Sequence, residues 1–466
     1  MKNINIKVFI SIALIALFNF ILLGAEYLFD NMMAYVAGSE DVVMAQSYIL
    51  GASVIGFFLF PIAGRIAKEN TKYILMLACT VISVVCIFLI QQHISYEVIL
   101  LSGLLLFVLL GIAGSGVHYL VFCTVGDSRH LAKMMGAAYA LGILLQFINN
   151  NCVKNDMVES IVLSITGMLF AVLAMRLCSV AEAVGESAED IQKNRCNLKN
   201  PMVAGLSLVI CVVLMTCVFS TLDNVVTLVH ATGSVDIGQW PRLLLALSGL
   251  SAGFLYDIKD RRYMSMIMYC VTLLSTICVV VIEMGGPFLT GLVVFYLSAG
   301  FFVVFFTVGF MDLARHMRIP SFWAGFGRAA NNLCAVITAS ASVSLLLSGN
   351  GMGIIIVALI LFALISVAVY FYQSQFSFCE EETKGTSVRD DAEKFLAFSE
   401  KFSLTEREQD VLKVLLESDE NVQEIAEELL MSRAALYRHI ASLNEKTETK
   451  TRIGLLQFYY AWKGTE

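Results

Sequence analysis

Charge is scarce in this chain. Of 466 residues only 15% are Asp, Glu, Lys or Arg and 58% are hydrophobic, against roughly 25% and 45–50% in soluble domains. A buried core alone does not account for that shift. Proline is scarce too, with five residues, and no low-complexity tract interrupts the sequence. The twelve cysteines never form a Cys-x-x-Cys pair. That argues against a metal centre, and their scatter through apolar blocks (Cys79, Cys86, Cys211, Cys217, Cys270, Cys278) argues against a disulfide framework. A thiol in such a block is ordinarily a small packing residue. A His-Glu-x-x-His string and a phosphate loop are both missing, so neither enzyme chemistry nor a cofactor is expected. The first apolar block, Lys7 through Leu23, lacks a small-residue cleavage site: Gly24-Ala25-Glu26-Tyr27 is a poor one. The block is therefore read as a retained span.

What is present is a series of apolar blocks of membrane-spanning length, each about 20 residues. Twelve are expected, at 7–27, 45–63, 73–91, 97–122, 134–151, 158–178, 202–222, 240–256, 264–284, 287–310, 323–347 and 351–372. Lys and Arg collect on the cytoplasmic side of membrane proteins. With the N-terminus inside, the inner segments hold Lys2, Lys7, Arg65, Lys68, Lys72, Arg129, Lys133, Arg176, Lys193, Arg195, Lys199, Lys259, Arg261, Arg262, Arg315 and Arg318. The outer ones hold Lys154 and Arg242. An even count of spans then returns the C-terminus to the cytoplasm, where DNA is accessible in a bacterium. The composition turns polar near Gln373, which sets the main boundary. The expected divisions are a first membrane half at 1–179, a cytoplasmic linker at 180–200 and a second half at 201–372, then a linker with a short helix at 373–399 and a final domain at 400–466.

The two halves repeat each other at four places in register. Phe29-Asp30-Asn31-Met32-Met33 pairs with Leu222-Asp223-Asn224-Val225-Val226, and Ala63-Gly64 with Lys72 pairs with Ala252-Gly253 with Arg261. Phe122-Cys123-Thr124-Val125-Gly126 pairs with Phe305-Phe306-Thr307-Val308-Gly309, and Gly136 pairs with Gly325. Two six-span halves around a cytoplasmic linker resemble the major facilitator superfamily. The run from Gly253 through Asp257 to Arg261-Arg262 looks like that family's loop motif. The resemblance implies that Asp257 caps a helix and that the basic pair pins neighbouring helix ends to gate the cytoplasmic side. In the first half Lys68 stands where the Asp belongs.

Ionisable groups inside spans are costly and face the bundle interior. Glu26 and Asp30 are four apart and share a helix face, with Asp223 at the matching end of the seventh span. Arg328, Asn331 and Asn332 fall at i, i+3 and i+4, again one face, and Arg242 opens the eighth span beside Trp240 and Pro241. Gln146, Asn149, Asn150 and Asn151 cluster at the end of the fifth. Glu26, Arg242, Arg328, Asn331 and Asn332 are the candidates for a small-molecule cavity between the halves. Interhelical hydrogen bonds that merely fix packing are the alternative. His118 reads as a packing residue.

The C-terminal region carries a different pattern. Val388, Ala392, Phe395, Leu396 and Phe402 are at helical spacing. Thr405 followed by Glu408 is a capping box. A second helix covers Glu424–Leu429. Ser432 is a natural N-cap for a third, and a fourth runs from Lys450 to about Trp462. Two short helices joined by a tight turn, the second with exposed basic residues, describe a helix-turn-helix. The stretch resembles the LuxR-type DNA-binding domain: Leu404, Thr405, Arg407, Glu408, Val411, Leu412, Glu424, Ile425, Ala426, Leu429, Ser432, His439, Ile440, Lys446 and Arg452 fall on that family's pattern. Asp419, Val422-Gln423 and Ala435-Leu436-Tyr437 depart from it. Charge is polarised, with two basic and nine acidic residues over 404–430 but six basic and two acidic over 431–463. The expected DNA-binding residues are Ser432, Arg433, Ala434, Ala435, Leu436, Tyr437, Arg438 and His439 on the recognition helix. Arg433, Tyr437 and Arg438 would face the major groove, while Lys446, Lys450 and Arg452 would meet phosphates.

The expected fold is therefore all-α: a polytopic twelve-helix membrane bundle of two six-helix repeats plus a four-helix LuxR-type domain. The expected function is a one-component transcription regulator of the bacterial inner membrane, with both termini cytoplasmic. Its partners would be double-stranded DNA, membrane lipid and a small-molecule ligand, with RNA polymerase as a further one. The resemblance implies a homodimer on DNA. A major-facilitator-type transporter with a regulatory DNA-binding tail is the other reading.

Overall fold

In the computed structural model the described residues are 2–66, 69–126, 128–184, 200–231, 240–347, 350–375, 394–417 and 422–462. Most of the expected 180–200 linker and of the 373–399 linker lies outside them, as does Lys68. Among the described residues there is no strand. The chain divides into two compact units, Met1–Ser377 and Phe378–Glu466.

The first unit is built from α1 (Lys2–Ala34), α2 (Ser39–Ile66), α3 (Glu69–Gln91), α4 (Tyr96–Val125), α5 (Leu131–Cys152), α6 (Asp156–Val184), α7 (Pro201–Ala231), α8 (Pro241–Tyr256), α9 (Met264–Glu283), α10 (Phe288–Ala314), α11 (Pro320–Trp323), α12 (Phe326–Leu347) and α13 (Gly351–Ser374). Among the described residues, ten of these helices are long and apolar enough to cross a membrane. The eighth and eleventh of the expected twelve spans are not among those ten. Helix α8 has only 16 residues. Helix α12 has 22, part of its last turns lies outside the residues whose side chains are described, and a break at Ala324–Gly325 splits off the short α11 ahead of it.

The helix neighbours repeat. Helix α1 packs on α4, α5 and α6, and α7 packs on α10, α12 and α13 in the same way. Pairs α2·α4, α3·α4 and α3·α6 recur as α8·α10, α9·α10 and α9·α13. The halves meet through α5 against α8 and, equivalently, α12 against α2. Close approach at these contacts depends on small residues, as in other membrane bundles. A Cβ on Gly136 would lie 2.5 Å from the Gly249 carbonyl oxygen and 2.8 Å from the Gly253 Cα. Gly249-Leu250-Ser251-Ala252-Gly253 has the spacing of a hydrolase nucleophile string, yet it lies wholly inside α8, with both glycines on the α5 contact. That string marks packing, because a nucleophile elbow needs a strand-to-helix turn. The central window of α10 is 67% buried and that of α3 only 17%, so α10 is interior and α3 offers its Ile, Leu and Val side chains outward.

A polar ladder joins α7 to α12. Thr216 Oγ1 donates to Asn331 Oδ1 at 3.2 Å, Cys217 Sγ lies 3.6 Å from Cys334 Sγ, and Ser220 and Thr338 face each other at 3.5 Å. Mild oxidation of membranes with copper phenanthroline is expected to join Cys217 to Cys334. Mass spectrometry of a non-reducing digest would detect the linked peptides. Their absence, with other cysteines oxidised, would place α7 on a different face of α12.

The second unit has α14 (394–401), α15 (Glu406–Glu417), α16 (Val422–Glu428), α17 (Arg433–Lys446) and α18 (Arg452–Ala461). Its core is built by Phe398, Val411, Leu412, Ile425, Leu436 and Tyr459 with their neighbours. Phe398 contacts Phe402, Phe458, Tyr459 and Trp462, so α14 packs against α18. The domain core therefore reaches back across the expected boundary at residue 400, because an aromatic side chain on the short helix fills the space beside α18.

Candidate ligand cavity and nucleic-acid interface

In the first unit the α8–α9 turn forms a clamp. Lys259, Asp260 and Arg261 have φ of 50°, 53° and 68°, which turns the chain sharply after α8. Asp257 then reaches the start of α5, accepting from the Ala132 N–H at 3.1 Å and the Lys133 N–H at 2.9 Å. A carboxylate there satisfies unpaired donors and complements the helix dipole. Arg261 donates to Asp312 at the end of α10 through Nε at 2.6 Å. Its Nη1 reaches Asp257 and the Ser128 and Arg129 carbonyls. One side chain thus ties the ends of α8 and α10 to the approach to α5. In the first-half copy Lys68 stands in the Asp position and lies outside the described residues.

The centre of the bundle holds a cavity of about 10 Å³, room for a single water, lined by Ile15, Asn19, His118, Met135, Tyr139, Val303, Val304 and Thr307. It opens where α1, α4, α5 and α10 converge. Arg328 lies nearby on α12. Its Nη2 donates to Asn19 Oδ1 at 3.3 Å, its guanidinium sits 5.1 Å above the Phe306 ring, and its buried Nε has no hydrogen-bond partner. Asn331 and Asn332 are differently placed. Asn331 accepts from Thr216 and donates to Asn332, while Asn332 donates to Ser53 Oγ on α2 at 2.8 Å. These two amides are held in bonds to α7 and α2, and of the three-residue polar face only Arg328, among the described residues, has a buried side-chain atom without a partner.

Glu26 accepts from Gln46 Nε2 at 2.8 Å. Glu26, Asp30 and Asp223 share an electrostatic neighbourhood with Arg242. Arg242 is 8% exposed and its Nε is unpartnered, and one carboxylate oxygen of Asp30 is also unpartnered. The Gln146–Asn150 and Asn149–Glu159 bonds form a separate cluster between α5 and α6. Asn19, Tyr139 and Thr307 were missed from the sequence, and His118, read there as packing, lines the cavity. Asn19 could have been found. It lies seven and eleven residues before Glu26 and Asp30, on the same face of α1.

In the second unit the turn between α16 and α17 is made by Leu430 at φ 50°, closed by the Met431 N–H donating to the Ala426 carbonyl at 2.9 Å. Ser432 caps α17 by accepting from the Ala435 N–H at 3.2 Å. Helix α17 buries Leu436, Ile440 and Leu443 and exposes Ser432, Arg433, Ala434, Tyr437 and Arg438, with Ala435 and His439 half-buried. Leu436 thus belongs to the core and not to the DNA-facing set, because it lies on the buried stripe that it forms with Ile440 and Leu443. Lys446 also has another role. Its ammonium donates to Glu408 Oε2 at 2.7 Å and to the Ser403 carbonyl at 2.8 Å, which holds α17 against the start of α15. Lys450 is exposed beside Thr451, which caps α18, and Arg452 is half-buried and already partnered.

A family profile described as an HTH domain matches residues 407–453. Among solved structures, the crystal structure of the human organic anion transporter MFSD10 (TETRAN) matches with a TM-score of 0.54 and 13% identity, over 80% of this chain and 99% of that one. At that identity the likeness shows the fold alone. No curated protein matches the chain. The chain is thus a multi-pass membrane protein with a transporter-like helical bundle that carries a helix-turn-helix DNA-binding domain.

Proposed function

We propose that this chain is a membrane-embedded one-component transcription regulator of the bacterial inner membrane. The bundle crosses the membrane twelve times with both termini in the cytoplasm, senses a small molecule, and controls a LuxR-type domain that binds promoter DNA as a homodimer and acts on RNA polymerase. The observation that carries this reading is the exposed basic face of α17, Arg433 with Tyr437 and Arg438, on the same chain as a bundle with a buried, incompletely partnered arginine. A ligand shifts such a tail only if it binds two bundle conformations unequally. A coupling of about 1–3 kcal/mol is typical. The bundle performs no enzyme chemistry in this reading.

The test is promoter binding with a salt series. Arg433→Ala and Arg438→Ala are each expected to weaken promoter binding by about 1–3 kcal/mol, and Lys450→Ala should weaken all sequences alike and flatten the salt slope by about 1. Both arginine variants binding like wild type would remove α17 from the DNA. A second reading, a transporter with a regulatory tail, is favoured by the intact Asp257–Arg261–Asp312 clamp. Solute uptake into vesicles, with promoter output blind to that solute, would select it.

A further inference from the structure

The geometry points to Cys217 and Cys334 as a redox-active dithiol whose oxidant is a lipid-soluble quinone. The inference goes beyond the proposed function and does not depend on whether the bundle senses or transports. Three observations carry it. First, the two thiols are already paired. Cys217 Sγ on α7 lies 3.6 Å from Cys334 Sγ on α12. A disulfide bond is about 2.0 Å long, so closure asks for a small approach of two helices that already meet at Thr216–Asn331 and Ser220–Thr338. Cys334 Sγ donates to the Val213 carbonyl oxygen at 3.3 Å. That oxygen only accepts, so the hydrogen of Cys334 is committed to it, and the hydrogen between the two sulfurs belongs to Cys217. Loss of that hydrogen leaves the sulfurs facing each other with nothing between them.

Second, the pair is reached from lipid. Cys217 lies inside the apolar stretch Pro201–Asp223, six residues short of Asp223, or about 9 Å of helix. Met202, Leu206 and Ile210 are exposed apolar residues of α7, and half-buried Cys217 comes two turns after Ile210 on the same face. On α12, Leu333 and Ile337 are exposed on either side of Cys334 in the sequence. In a bundle that crosses the membrane these side chains meet hydrocarbon, which excludes charged reagents. An oxidant arriving by that face is neutral, dissolves in lipid and accepts two electrons with two protons. A quinone has those properties.

Third, the pair adjoins a tie between the halves. Asn331, one turn before Cys334, donates to Asn332, which holds Ser53 on α2. Drawing α7 and α12 together therefore acts on the contact of α12 with the first half. The step balances as a two-electron exchange. Two S–H bonds break and one S–S bond forms. Both electrons and both protons pass to the quinone, which leaves as the quinol.

The experiment is anaerobic incubation of the reduced full-length chain, in lipid nanodiscs, with duroquinone. Its ring is fully methylated, so it oxidises thiols without alkylating them. The expected result is one duroquinol per chain, with the Cys217 and Cys334 peptides linked, and both thiols restored by dithiothreitol. Ferricyanide, which stays in water, should link the pair about tenfold more slowly or not at all at equal oxidising equivalents. The exposed Cys270 of α9 should remain a thiol. Cys217→Ser and Cys334→Ser should each abolish quinol formation. Cys217→Ala and Cys334→Ala serve where the hydroxyl impairs folding, and the wild-type peptide map needs no variant. A pair that copper phenanthroline links but duroquinone leaves reduced overturns the inference. So does quinol formed with other cysteines linked, or ferricyanide acting as fast as the quinone.

Discussion

Valine at Gly111 will abolish the folded bundle, while alanine at Gly64 or Gly167 will leave it intact. Helices α2 and α4 touch backbone to backbone. A Cβ on Gly111 would land inside the Ser53 carbonyl oxygen and within 3.0 Å of the Gly56 Cα, and a Cβ on Gly56 would land inside the Val108 carbonyl. Neither obstacle is a movable side chain, so the two helices must separate along their whole contact. Overpacking a well-fitted interior costs about 1–3 kcal/mol, and more where backbone must shift. Valine, branched at Cβ, belongs at the upper end. The bundle loses more than packing, since Ser53 on α2 also holds Asn332 of α12. Gly64 and Gly167 have nothing within 4 Å of a built Cβ, and alanine favours helix by about 1 kcal/mol over glycine. Size-exclusion chromatography of detergent extracts should show a monodisperse peak for both alanine variants and aggregate for Gly111→Val. A monodisperse Gly111→Val protein with unchanged melting would mean that α2 and α4 do not meet at this point.

Backbone contacts such as that of Gly111 with Ser53 leave no mark in the sequence. Apolar blocks are visible because hydropathy belongs to a window of residues and needs no partner. The break before α12 was not visible in that way. The block expected at 323–347 begins apolar, and the end of α11 at Trp323 is a backbone feature that hydropathy does not report. The repeat was visible through short matches, and helix pairing in both halves gives it a physical basis. Gly249 through Gly253 could be misread as a nucleophile string, because spacing alone does not tell a packing face from a reactive turn. At the cavity, Arg328 stood out as a charge in an apolar span, but its partner Asn19 is 309 positions away. Asn331 and Asn332 shared its face by periodicity. Their bonds to Thr216 and Ser53 depend on neighbours that periodicity does not specify.

Glu408→Ala is expected to be the most damaging single change in the second unit, at about 3 kcal/mol. The capping box at Thr405 was legible: the Thr405 N–H donates to Glu408 Oε2 at 2.8 Å, and the Glu408 N–H donates to Thr405 Oγ1 at 3.4 Å. The rest was not, because it comes from α17, 34 and 38 residues away: Ser442 Oγ donates to Oε1 at 2.6 Å and Lys446 to Oε2 at 2.7 Å. Removing the carboxylate leaves a half-buried ammonium with only the Ser403 carbonyl and unties α17, the helix expected on DNA, from α15. Breaking one side of a buried pair costs about 3–5 kcal/mol, and the part exposure of Lys446 puts this case at the low end. The same network sets a pH dependence. Burial pushes the Glu408 carboxyl up from its ordinary 4.5, but the Lys446 ammonium, the Ser442 hydroxyl and the two Thr405 donors outweigh it and hold the group down at about 2. The unfolded chain therefore binds the proton first as pH falls, so this group's stabilisation is complete above about 4.5 and is lost as pH drops towards 2. Thermal melts of residues 378–466 should show a midpoint that falls over that window in wild type and falls less in Glu408→Gln, which is also less stable at neutral pH. Lys446→Ala should lower the neutral-pH midpoint as well. Its promoter affinity, measured well below its melting temperature, should stay near wild type, since that ammonium is already committed inside the domain. A Lys446→Ala variant that keeps its midpoint but loses affinity with a flatter salt dependence would return Lys446 to the phosphate contacts.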